Sequence, residues 1–144
     1  MSGNYKGDVS ATDCWAALAQ DRSALLIDVR TRPEWTFVGM PRLESVGKSV
    51  IQAEWQVYPT MSIDPNFASL VAEAVVRAGG DKSTQLFFLC RSGQRSMSAA
   101  AALTAEGYDA CFNVVGGFEG PQNEEDHRGT LRGWKAEGLP WAQG

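Results

Sequence analysis

The chain has 144 residues, 44% of them hydrophobic and 21% charged, with a formal net charge of -4. That length favours one domain with a core of its own, and the composition is ordinary for a soluble globular protein. The acidic balance excludes a broad electropositive surface and makes nucleic acid an unexpected partner, although a local basic pocket fits inside an acidic protein.

The N-terminus, Met1 to Asp8, lacks the apolar stretch of a secretory signal, and no segment approaches the roughly 18 to 20 apolar residues of a membrane helix. A cytoplasmic protein without membrane contact is therefore expected. Ser10 then reads as an N-cap, with Asp13 in the capping-box position and Val9 placed to staple against Cys14. Ala11, Cys14, Trp15 and Leu18 recur at helical spacing. The run 24–29 (Ala-Leu-Leu-Ile-Asp-Val) has the composition of a buried strand ending at Arg30, and Thr31-Arg32-Pro33-Glu34-Trp35 opens a loop or short helix.

Residues 48–58 have strand-like composition with imperfect alternation and are read as a strand. Asp64-Pro65 is a helix start, a capping side chain followed by proline at the first helical position. Phe67, Leu70, Val71, Ala74, Val75 and Ala78 form its apolar stripe, and Gly79-Gly80 closes it. Leu86-Phe87-Phe88-Leu89 is a short apolar strand running straight into Cys90. Met97, Ala100, Ala101 and Thr104 then recur at helical spacing, with Gly107 to close the helix. A strand follows over 110–115, stopped by Gly116-Gly117, and the tail carries a helix near 131–137 with Gly138 and Pro140 after it. Strands alternating with helices predict an α/β domain with a mainly parallel sheet and helices on both faces.

The three cysteines, Cys14, Cys90 and Cys111, are odd in number and widely spaced, which does not make a disulfide framework. With no CxxC pair and a single histidine, His127, neither a zinc site nor a Ser-His-Asp mechanism finds its residues, so no metal and no cofactor is expected. Cys14 on a helix stripe and Cys111 in an apolar strand read as core.

Cys90 is different. It leaves the carboxyl end of a buried strand, where open α/β sheets place their ligand crevices. It opens the loop Cys90-Arg91-Ser92-Gly93-Gln94-Arg95-Ser96, and a helix follows. Gly93 reaches backbone angles that other residues resist. A loop curled around the sulfur points successive N–H groups inward as an anion-binding nest, and the helix adds its positive N-terminal end. Arg91 and Arg95 contribute two permanent charges. All of this stabilises an anionic sulfur, whether thiolate or persulfide, and would receive the sulfonate end of thiosulfate. An inert buried cysteine needs neither two arginines nor a glycine so close by.

The segment Leu89 to Ser96 resembles the active-site loop of rhodanese domains, which carry sulfur as a cysteine persulfide. Three further pieces agree in order: Leu26-Ile27-Asp28-Val29-Arg30-Thr31 with Pro33-Glu34-Trp35, then Val115-Gly116-Gly117-Phe118, then Gly133-Trp134-Lys135-Ala136-Glu137-Gly138-Leu139-Pro140. The resemblance implies a single rhodanese domain over 1–144 (core about 10–141), three-layered α/β/α around a mainly parallel sheet. It implies Cys90 as nucleophile, Arg91, Ser92, Gly93, Gln94, Arg95 and Ser96 as the anion-binding loop, and Asp28 and Arg30 as paired supporting charges. Arg91 is expected at the entrance and Arg95 turned inward as a brace. The chain departs from the family at Val38-Gly39-Met40-Pro41, where a glycine-histidine-isoleucine-proline step is common. Its segment 42–64 is also longer than the fold needs, and is placed to wall one side of the pocket.

Four residues separate Cys90 from Arg95, where cysteine phosphatases have five, and the smaller loop suits a single sulfur better than a tetrahedral phosphate. No general acid lies within the loop, with Asp28 and Glu119 the acids that could approach in space. The expected activity is sulfur transfer from thiosulfate or a related anion to cyanide or a thiol, small or on a protein. The alternatives are a sulfur-relay or protein-binding module without small-donor turnover and, behind it, a cysteine phosphatase or arsenate reductase. Trp15 and Trp134 read as core, while Trp55 and Tyr58 fit either the core or the pocket wall. Glu124-Glu125-Asp126 reads as a solvated loop, and His127 as a surface or capping residue.

Overall fold

The computed structural model describes residues 4–143, so residues 1–3 and 144 of the expected 1–144 domain lie outside the described residues. A five-stranded, wholly parallel sheet forms the middle layer, built from β1 (Gly7–Val9), β2 (Leu25–Asp28), β4 (Ile51–Gln52), β7 (Leu86–Leu89) and β8 (Cys111–Val114). Its order is β1-β8-β7-β2-β4, so the strand that leads to Cys90 is central. Two short antiparallel pairs lie outside it: β3 (Met40–Pro41) with β9 (Trp141–Ala142), and β5 (Gln56–Val57) with β6 (Ser62–Ile63). The helices are α1 (Ala11–Gln20), α2 (Arg32–Phe37), α3 (Phe67–Arg77) and α4 (Gln94–Ala105), with a short 3-10 turn at Glu44–Val46.

Alternation along the strands divides the core into two layers. Ile27, Leu86, Phe88 and Cys111 face α3 and α4 and pack with Phe67, Val71, Val75, Ala100 and Leu103. Leu26, Phe87, Leu89 and Val114 face the other way, where α1 supplies Ala11, Cys14 and Leu18 and the tail supplies Trp134. This is the α/β/α arrangement expected from the sequence.

Local chemistry explains the helix ends. The Ser10 hydroxyl accepts from Asp13 N–H at 3.0 Å at the start of α1. At the end of α3, Gly79 N–H donates to Val76 O (2.9 Å) and Gly80 N–H to Val75 O (2.8 Å), the paired bonds of a glycine C-terminal cap.

Three expectations need correction, and one strand had none. The edge strand β1 was not foreseen, since its three residues carry little pattern of their own and owe their conformation to pairing with β8. The strand expected over 48–58 is two short ones: β4 pairs with β2, then Trp55 turns into the core against Phe67 (ring centroids 5.0 Å apart) and the chain leaves the sheet for the β5–β6 hairpin. Asp64-Pro65 does not begin α3. Phe67 N–H donates to Asp64 O (3.1 Å) and Asn66 N–H to Asp64 Oδ1 (2.8 Å), a turn that precedes the helix. No helix forms over 131–137, where turns replace it. Gly133 sits at φ 104°, outside helical geometry, and the next two N–H groups donate to the β8 exit turn, Trp134 to Gly117 O (2.8 Å) and Lys135 to Phe118 O (3.1 Å).

Trp134 is fully buried, meets Trp15 edge to face at 5.9 Å, and donates its indole N–H to Pro140 O at 2.7 Å. Trp134→Ala empties that volume and is expected to cost roughly 3–5 kcal/mol in urea denaturation; a loss below about 1 kcal/mol would show that the tail is not part of the core.

Candidate active site

Cys90 stands at the carboxyl end of β7, on the floor of a cleft of about 520 Å³. Its residue exposure is 1%, so the sulfur is reached through the cleft and not across an open surface. Gly93 N–H donates to Cys90 Sγ at 3.1 Å, and Ser96 Oγ lies 3.2 Å from the same sulfur. Gly93 adopts φ 115° as the residue before α4, a conformation that favours glycine. The sulfur thus sits under the positive end of a 12-residue helix with one amide on it.

The turn after β8 fixes this loop from behind. Phe118 N–H donates to Cys90 O at 2.8 Å, and Glu119 and Gly120 N–H both donate to Arg91 O at 2.9 and 3.1 Å. Gly117 makes the approach feasible: it has φ 60°, and a Cβ there would lie 2.7 Å from Arg91 O.

The loop's two arginines differ in environment. Arg95 donates to both oxygens of Glu34 in α2, at 2.7 and 2.9 Å, and is mostly buried. Burial by itself pushes the Glu34 carboxyl up, but the Arg95 guanidinium and the Thr31 amide and hydroxyl outweigh it and hold Glu34 down at about 2. Arg91 is exposed at the cleft and its side chain makes no hydrogen bond or ion pair among the described residues. Asp28 and Arg30 form a fully buried ion pair at 2.6 Å beneath the site. Arg30 also donates to Gly39 O (2.8 Å) and lies 4.2 Å over the Phe118 ring, so it joins the turn after α2 to the turn after β8.

Ser92, Gln94, Val38, Glu119 and Arg128 also line the cleft, with Gln56 and Met61 from the long segment over 42–64. Trp55 and Tyr58 do not: Trp55 packs on Phe67, and Tyr58 stands exposed on the hairpin beside a separate cleft. The sequence carried no sign of two contributors. Arg128 was hidden in a polar loop, where it donates to Gly120 O at 2.7 Å, and Asn113 in a strand. Glu34 was readable as the fourth residue of a Thr-x-x-Glu helix start, but not as the partner of Arg95. Cys14 and Cys111 are buried in the two core layers, and burial pushes both thiols up. His127 is exposed, and its N–H donates to Asn123 Oδ1 at 3.0 Å. Among the described residues no three His, Cys, Asp or Glu side chains come together as metal ligands.

Since folding lowers the Glu34 carboxyl, its stabilisation is present above the ordinary carboxylate range and is lost as pH falls toward about 2. Glu34→Gln is therefore expected to cost roughly 2 kcal/mol by urea denaturation near neutral pH, with the gap to wild type closing steadily below about pH 4. A gap of constant size down to about pH 3 would mean that the carboxylate charge is not what braces the loop.

Comparison with known proteins follows the fold. Residues 6–144 match the family model described as STR4 middle domain. An uncharacterized protein of Rickettsia conorii is 39% identical over 134 residues, which cover 93% of this chain and 95% of that protein. Rhodanese-like domain-containing protein 4, chloroplastic, of Arabidopsis thaliana is 23% identical over 95% of this chain, a span of 26% of the plant protein. The crystal structure of Rv0390 from M. tuberculosis superposes with a TM-score of 0.84 at 40% identity, covering 98% of this chain and all of that one. The polysulfide-sulfur transferase homodimer from Wolinella succinogenes matches with a TM-score of 0.57 at 20% identity, over 94% of this chain and 77% of that one, a likeness of fold alone. The chain belongs to the STR4 middle-domain family, with a rhodanese-like fold.

Proposed function

We propose that the chain is a sulfurtransferase of the single-domain rhodanese type, with Cys90 as its nucleophile and a persulfide as its intermediate. One observation carries the reading: the Cys90 sulfur meets the Gly93 N–H at the floor of a cleft that holds two cations, Arg91 and Arg128, paired to no carboxylate among the described residues. The Cys90 thiolate attacks the outer sulfur of thiosulfate, forming an S–S bond as the bond to the sulfonate sulfur breaks and sulfite departs with its electron pair. An acceptor then attacks the outer persulfide sulfur. Cyanide leaves as thiocyanate, while a thiol becomes a persulfide, and the Cys90 thiolate is restored in either case. The loop N–H groups stabilise both anionic states.

Arg91 attracts the anionic donor and Arg128 adds a second charge across the cleft, while Arg95, committed to Glu34, holds the loop in shape. That commitment also weighs against phosphoryl transfer, because Glu34 already occupies the end-on pair of guanidinium nitrogens, Nη1 and Nη2, and neutralises the charge a phosphate would need. The cleft has room for donors longer than thiosulfate, and polysulfide, named for the Wolinella protein, belongs in the same panel. Three free thiols fit a reducing compartment such as the cytoplasm.

A second reading, a module passing sulfur between proteins, is favoured by the β5–β6 hairpin. Met61 lines the cleft, and the same hairpin exposes Tyr58 (59%) and Ile63 (55%).

Intact-protein mass spectrometry after thiosulfate treatment is expected to show a gain of one sulfur, removed by cyanide and absent in Cys90→Ser. Wild-type protein that stays unmodified while its thiols are reduced contradicts the enzyme reading. Arg91→Ala is expected to raise KM for thiosulfate about tenfold with little change in kcat, the signature of lost ground-state attraction.

A further inference from the structure

Behind Cys90 runs a chain of hydrogen bonds that the sulfur chemistry described above leaves unused. Ser96 Oγ, 3.2 Å from the sulfur, donates to Asn113 Oδ1 at 2.5 Å. Asn113 Nδ2 donates to Asp8 Oδ1 at 3.1 Å, and Tyr5 OH donates to the same oxygen at 2.8 Å. Ser96 and Asn113 are buried, while Asp8 is exposed on β1 at the sheet edge.

The direction of each bond is fixed from the far end. An ionised Asp8 only accepts, so the Asn113 amide must turn its NH2 toward Asp8 and its carbonyl oxygen toward Ser96. The Ser96 hydroxyl has one proton, and Asn113 Oδ1 takes it. The Ser96 oxygen is then left as an acceptor, which suits a protonated Cys90 and does not suit an anionic one. For Ser96 to donate to the sulfur, its hydroxyl must rotate away from Asn113 and leave a buried carbonyl oxygen without its partner.

Resting on the proposal that Cys90 reacts as an anion, we infer that Asn113 is a positioning residue that competes with Cys90 for the Ser96 hydroxyl proton, and that Asp8 holds it in that role. The pair thereby favours the protonated form of the resting cysteine over the anionic one. When the thiol proton leaves to solvent, the hydroxyl turns to the sulfur. The charged groups around Cys90 are Arg91 and Arg95 in its own loop, Glu34 of α2, Asp28 of β2 with its partner Arg30, Glu119 and Arg128 beyond β8, and Asp8 behind Ser96. Asn113→Ala removes none of these charged groups, and comparison with the Ser96→Ala background separates what it does through the hydroxyl from anything it does through Asp8 or packing.

The test is the pH profile of Cys90 alkylation by iodoacetamide, followed on the Cys90 peptide of the full chain, for wild type, Asn113→Ala, Ser96→Ala and the double variant. Asn113→Ala is expected to move the midpoint down by about one pH unit, tenfold in reactive fraction on the lower limb. Ser96→Ala is expected to abolish that response, so that the double variant matches Ser96→Ala alone. A midpoint that Asn113→Ala leaves in place, or moves equally without Ser96, overturns the inference. Should Asn113→Ala fail to fold, Asp8→Ala at the exposed edge frees the amide to flip and is read in the same two backgrounds. There the inference requires a larger downward shift with Ser96 present than without it, and an equal shift overturns it. Persulfide formation from thiosulfate is measured on the same proteins. A coupled midpoint shift without any persulfide sinks the sulfurtransferase reading alone, and persulfide formation without the shift sinks this inference alone.

Discussion

The carbonyl oxygens of Cys90 and Arg91 accept three backbone N–H groups from the turn after β8, and the rest of the site depends on that contact. It holds the first two residues of the loop in line with β7, so the chain must bend at Ser92 and Gly93, and the bend brings the Gly93 N–H onto the sulfur. The approach requires Gly117, whose position has no room for a side chain. The tail then straps the turn from outside through Trp134 and Lys135, which is why a segment with helical composition forms turns. Backbone donors set in this way cost no reorganisation when negative charge develops on the sulfur.

Charge is divided by depth. Asp28 and Arg30 neutralise one another under the site, and Arg95 and Glu34 do so at its side, so both pairs act as braces between segments distant in sequence. Breaking either by removing one partner would strand the other, which makes them effective fasteners whatever their net contribution to stability. Among the described residues, Arg91 and Arg128 are the guanidinium groups of the cleft that meet no carboxylate within salt-bridge distance, and Glu119 lines the same cleft. An acidic chain thereby presents a small cationic opening, a setting that suits a small anion and not a broad polyanion.

Much of this was legible from the residues. Leu86 to Leu89, the loop from Cys90 to Ser96 and the helix after it carry their own signals, because a buried parallel strand is apolar throughout and a loop that folds back over its own first side chain needs a glycine. Ser10 capped α1 as its hydroxyl implied. What the sequence concealed depends on distant partners. β1 exists through its pairing with β8, the run over 48–58 is split because Trp55 finds Phe67, and Gly133 breaks the tail helix to meet Gly116 and Gly117. The same holds within the site. Arg95 was visible as a charge, but its pairing with Glu34 joins residues 61 apart, and Asn113 looks like any strand residue until Ser96 is placed beside it.

Whether Cys90 takes the outer sulfur of an anionic donor can be read from thiosulfate labelled with radioactive sulfur at that position. With the protein in excess over donor and its thiols reduced, the label is expected on the Cys90 peptide and unlabelled sulfite in solution. Label that leaves with sulfite, or that is spread over Cys14 and Cys111, would contradict it.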